Sequence, residues 1–139
     1  MPGLFPALAL PPAVRARVAL LRERAAAGTL EVTCGGRSME PVVRLGDRVR
    51  IAAAAARTGA VAAFVTARGD LELHRLIGRG PLGWWVHAGD NQAAPALGLV
   101  HEVQLVGVAD VPRLRPSLIA SARAAARVAQ AAARVLVLR

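Results

Sequence analysis

The chain has 139 residues, enough for one domain with its own core, and 55% of them are hydrophobic, although much of that share is alanine. Its net charge of +9 is carried by arginine alone, so any site that needs a basic catalyst must use something other than lysine. A single cysteine excludes an internal disulfide, and no uninterrupted apolar run reaches the roughly 18 residues of a membrane span.

Leu4 to Val14 is apolar but short, broken by Pro6, Pro11 and Pro12, and without a basic region before it, so it does not read as a secretory signal. Pro11-Pro12 marks a helix start, and the spacing predicts a helix over Ala13 to Ala27 closed by Gly28. Val14, Val18, Leu21 and Ala25 line one face of it, which suits packing on its own domain or, alternatively, on a partner or membrane. From Thr29 to Asp110 the pattern turns to short β-type runs: Leu30 to Cys34, Arg48 to Ile51, Val61 to Thr66, Leu71 to Ile77, Gly83 to Ala88 and Gln104 to Val108. Arg68-Gly69-Asp70 is the expected turn of a hairpin joining the third run to the fourth. Strands this short and closely spaced predict a small, coiled, mainly β domain. After Pro116, with Ser117 as cap, a second helix is expected to run to about Leu138, carrying Arg123, Arg127, Gln130 and Arg134 on one face. Such a helix suits a membrane interface, the domain itself or a second copy in a homodimer, and the sequence leaves these open. The expected organisation is an N-terminal segment and helix over 1–28, a β domain over 29–112, and a C-terminal amphipathic helix over 113–139.

The stretch Gly35-Gly36-Arg37-Ser38-Met39-Glu40-Pro41 holds a serine between a glycine pair and a proline. A turn of this kind can present a hydroxyl outward beside free backbone N–H groups, which are the parts of an acyl-transfer site. A serine hydroxyl needs a base to take its proton, and a neutral histidine, with an ordinary pKa of about 6.5, suits that task near pH 7. The chain offers His74, His87 and His101. Asp47 belongs to a Gly-Asp turn that begins a strand and is read as structural, and Cys34 as a buried strand residue.

Gly-x-Ser-Met-x-Pro at 36–41, Gly46-Asp47-x-Val49, His74-Arg75-Leu76-Ile77-Gly78 and Gly89-Asp90-Asn91 follow one another in an order that resembles the signal peptidase I family, over roughly Thr33 to Asp110. The resemblance implies a coiled β domain of the signal peptidase type, here flanked by N- and C-terminal helices. It implies Ser38 as nucleophile, His74 at the position where many members carry lysine, and either Asp90 as the acid that holds the imidazole or a Ser-His dyad without it. It also implies an oxyanion hole at the Ser38 N–H, with Gly36 in the turn where some members add a hydroxyl that glycine lacks, and with Met39 and Pro41 beside the substrate. His87 and His101 have no such context and are read as structural. The implied activity is that of a serine endopeptidase trimming a precursor or leader peptide in the cytoplasm, peripheral to a membrane if the C-terminal helix binds one. No cofactor, metal or nucleic-acid partner is expected. A catalytically inactive peptide-binding module and a self-cleaving repressor-type domain are the alternatives.

Overall fold

The computed structural model of the protein describes residues 9–91 and 97–111. The helix expected after Pro116 and the residues before 9 lie outside them. Pro11 and Pro12 open α1 (Pro12–Ala26), where a proline costs no helical hydrogen bond because the first N–H groups have no partner in any case. Gly28 takes up φ +73° after the last turn, a conformation that an L side chain resists. Val14, Val18, Leu21 and Ala25 are the buried face, as their spacing predicts.

Seven strands follow: β1 (Glu31–Thr33), β2 (Arg48–Ala52), β3 (Val61–Val65), β4 (Leu71–Arg79), β5 (Trp84–Ala88), β6 (Leu97–His101) and β7 (Leu105–Ala109). They form one antiparallel sheet in the order β1-β2-β7-β3-β4-β5-β6, so the protein is mainly β. The hairpin between β3 and β4 turns at Gly69, φ +94°, where Thr66 Oγ1 accepts from the Asp70 N–H. β6 was not expected from the sequence. Its Leu97-Gly98-Leu99 segment is short and carries a glycine, which weakens a strand pattern. The glycine is there because a side chain at 98 would collide with the His87 ring on β5.

Every residue of β3 is buried, because the strand is covered on both faces. Val61, Ala63 and Val65 face the larger cluster, which also holds Val49, Ile51, Leu73, Val106 and the apolar side of α1. Ala62 and Phe64 face a smaller cluster with Leu76, Trp85 and Val100. Helix α1 packs against β7, β3 and β2, which settles its face on its own domain. Its Arg22 side chain reaches back to the sheet and donates to the carbonyl oxygens of Leu105 and Glu102.

Burial of that face carries a measurable load. Leu21 is 9% exposed and Leu20 is 51% exposed on the adjacent side. Leu21→Ala should lower the unfolding free energy by about 2–3 kcal/mol through lost burial and a residual cavity. Leu20→Ala should change it by less than about 0.5 kcal/mol. Urea unfolding of the two variants compares them, and equal losses would refute the assignment of the buried face.

Candidate active site

Between β1 and β2 the chain makes the excursion 35–46, and the strand pairing closes it at its base. The Cys34 N–H donates to the Asp47 carbonyl oxygen at 2.8 Å, and the Gly46 N–H donates back to the Cys34 carbonyl oxygen at 2.8 Å. Asp47 Oδ2 accepts from the Arg44 N–H, so this carboxylate is spent on its own turn. Met39 and Val43, each 1% exposed, plug the excursion into the larger cluster. Neighbouring residues on a tight turn point in different directions, so seating Met39 leaves Ser38 at the surface. Met39 therefore offers a ligand only its backbone, whereas Pro41 is exposed. Cys34 is half-buried, with its thiol directed to the Gly36 carbonyl oxygen.

A second loop clamps the serine turn. The Asn91 N–H donates to the Ser38 carbonyl oxygen at 2.8 Å, and Asn91 Nδ2 donates to the Arg37 carbonyl oxygen. Between them Gly89 lies so close that a Cβ there would fall 2.5 Å from the Ser38 carbonyl oxygen. Only glycine permits this approach. Among the described residues the Ser38 N–H has no acceptor, which leaves it to a ligand.

Ser38 Oγ lies 3.2 Å from His74 Nε2 on β4, within hydrogen-bond reach of a general base. The structure does not bring Asp90 to that imidazole. Both Asp90 oxygens accept from Arg75, at 2.7 Å from Nε and 2.6 Å from an NH2 group, in a two-pronged pair whose side chains are 12% and 15% exposed. Arg75 also donates to the Gly59 carbonyl oxygen. The fork geometry of a guanidinium takes both carboxylate oxygens at once, which fixes the Gly89–Asn91 loop against β4. Asp90 acts on His74 at a distance only.

The group at His74 Nδ1 is instead His87, with an Nδ1 to Nδ1 distance of 2.8 Å. His87 is buried on β5 with its ring centroid 4.8 Å from Phe64 and 4.9 Å from His74. Position 98 has no side chain because a Cβ would fall 2.5 Å from His87 Nε2. Burial, and after it the neighbouring His74, lower the His87 pKa from 6.5 to about 4. Burial also lowers the His74 pKa below 6.5, against the opposing pull of Glu72 and Asp90. The upward shift that a paired carboxylate would give is therefore absent.

Sequence reasoning did not place His87 beside His74, since a lone histidine in a strand carries no motif. The one signal was its place in a run, Trp84-Trp85-Val86-His87-Ala88, whose neighbours suit a buried strand. His101 stays structural: its Nδ1 accepts from the Val103 N–H, so Nε2 carries the proton and donates to the Leu82 carbonyl oxygen at 2.9 Å. Among the described residues no cluster of His, Cys, Asp and Glu fits a metal ion.

Compared with known proteins, the chain matches no family model, no curated protein and no solved structure.

Proposed function

We propose that the protein is a serine endopeptidase of the signal peptidase type that trims a precursor or leader peptide, with Ser38 as nucleophile and His74 as general base. The observation that carries this reading is the 3.2 Å contact between Ser38 Oγ and His74 Nε2. The two residues are 36 positions apart and sit on different elements, and two loops hold the serine turn in place. In the first step the Ser38 oxygen bonds to the substrate carbonyl carbon as its proton passes to Nε2, and the Ser38 N–H receives the developing oxyanion. His74 then gives that proton to the leaving amine, and water releases the acyl group in a second cycle of the same kind.

Support for a peptide substrate comes from the four sequence blocks and from the setting of Ser38. The serine stands on an open turn beside a sheet, where an extended segment can lie along the strands. A small acyl substrate would be better served by an enclosed pocket. In the described residues no helix is long and apolar enough to cross a membrane.

A fluorophosphonate probe, which reacts with activated serines, tests the nucleophile without knowledge of the peptide. Ser38→Ala should abolish labelling while the far-ultraviolet circular dichroism stays unchanged. His74→Ala should lower the labelling rate to a similar floor, because members of one catalytic unit do not act additively. Labelling of folded Ser38→Ala at the wild-type rate would move the nucleophile elsewhere, with Cys34 next in line. Gly89→Ala should displace the Ser38 carbonyl and cost roughly 10- to 100-fold in labelling rate, since a shift on the order of 1 Å in a reacting group has effects of this size.

The pH dependence has a definite sign. A general base works when neutral, so the rate rises with pH through the His74 ionisation and then levels. Burial holds that ionisation below 6.5, so the midpoint should lie on the acidic side of an ordinary histidine. A midpoint above 6.5 in the wild-type protein would contradict the burial-dominated environment.

A further inference from the structure

We propose that His87 is the positioning residue of this site: its unprotonated Nδ1 accepts a hydrogen bond from His74 Nδ1–H and so keeps His74 Nε2 free to take the Ser38 proton. This inference rests on the reading of Ser38 and His74 as nucleophile and base. It does not follow from the sequence blocks, which point to Asp90.

The argument is one of hydrogen accounting. Two imidazole nitrogens 2.8 Å apart share one proton between them, so one donates and the other accepts. If His87 donated, His74 Nδ1 would be the acceptor and its proton would sit on Nε2, facing Ser38. The serine would then be only an acceptor, and no base would be present. If His74 donates, His87 must carry its own proton on Nε2, and His74 Nε2 has a free lone pair aimed at Ser38 Oγ. The second arrangement alone gives a working site.

Three features favour it. His87 is 8% exposed, with Phe64 on one side and the bare backbone of Gly98 beside its Nε2, so the ring is held in one place. Of the charged groups around the pair, Glu72 on β4 and Asp90 after β5 act on His74, where they favour a proton, and the Arg75 guanidinium on β4 is paired with Asp90. Phe64 on β3 and Gly98 on β6 bring no charge to His87. Burial and the adjacent imidazole keep His87 neutral down to about pH 4, so at neutral pH its Nδ1 is available as an acceptor. During catalysis no proton reaches His87. It orients the ring that becomes charged, as the carboxylate does in a serine triad, but without contributing a negative charge.

Two measurements decide the proposal, and one of them is independent of activity. In Ser38→Ala protein at pH 7.5, imidazole ¹⁵N shifts should show His74 protonated at Nδ1 and His87 protonated at Nε2. A His74 ring protonated at Nε2 would overturn the proposal even if Ser38 proves to be the nucleophile. In the second, fluorophosphonate labelling is followed against pH. Folded His87→Ala should label about 10- to 100-fold more slowly than wild type, less than the full loss seen when the acid of a triad is removed, because a neutral acceptor contributes less. His87→Asp places a carboxylate oxygen at the same depth along the side chain as Nδ1. It should raise the midpoint of the pH profile, because a negative neighbour favours the imidazolium. A folded His87→Ala with the wild-type rate, or a His87→Asp with the wild-type midpoint, would overturn the assignment. Should neither variant fold, the tautomer measurement decides alone. Absence of labelling in the wild-type protein would strike the nucleophile reading instead and leave the tautomer result standing.

Discussion

Because β7 lies between β2 and β3, the first half of the sheet cannot close until the end of the described chain returns to its middle. That insertion brings Ile51 and Val106 into the larger cluster with α1 and gives β3 a paired neighbour on each edge, while the two clusters cover its faces. It also ties β2, which anchors one end of the serine excursion, through β7 and β3 to β4, which carries His74. Pairings this distant in sequence are formed late and at a cost in loop entropy. The distance between Ser38 and His74 is therefore a property of the whole sheet and not of either loop alone.

The two faces of the sheet do different work. The larger cluster, with α1 and the plugs Met39 and Val43, sets the height of the serine turn. The smaller cluster, around Phe64, Leu76 and Trp85, adjoins the two histidine rings. Apolar neighbours make a histidine reluctant to charge, which suits a base that must be neutral before it acts. Asp90 and Arg75 satisfy each other instead, and their service is to hold the Gly89–Asn91 loop over the serine turn. That pairing turns the Asp90 carboxylate toward Arg75, and the position beside His74 Nδ1 falls to His87.

Much of this was legible in the chain. The helical face of Val14, Val18, Leu21 and Ala25 follows from spacing, and the β3–β4 hairpin follows from Gly69 and the flanking apolar runs. The serine turn and the histidine of β4 were marked by their local patterns. Three things were not legible. β6 was obscured because Gly98 answers to a ring on the neighbouring strand and not to strand propensity. The partner of Asp90 lies 15 residues earlier in the chain, and only the sheet register puts the two side by side. The role of His87 depends on a cross-strand neighbour, which no periodicity within one strand reveals. Each of these is a relation between strands, and pairing register is where local sequence says least.

The seating of His87 on Gly98 has one more consequence. Among the described residues β6 ends the sheet, with β5 on one side and no further strand on the other. Edge elements open locally at lower free energy than the centre of a sheet. When β6 parts from β5, the His87 imidazole loses its floor and can turn over, and the proton between the two rings is free to settle on either. The geometry around Ser38 and His74 is thus joined to the fraying of a strand that neither belongs to. A strand paired along the outer side of β6 would steady that rim and with it the contact between His87 and His74.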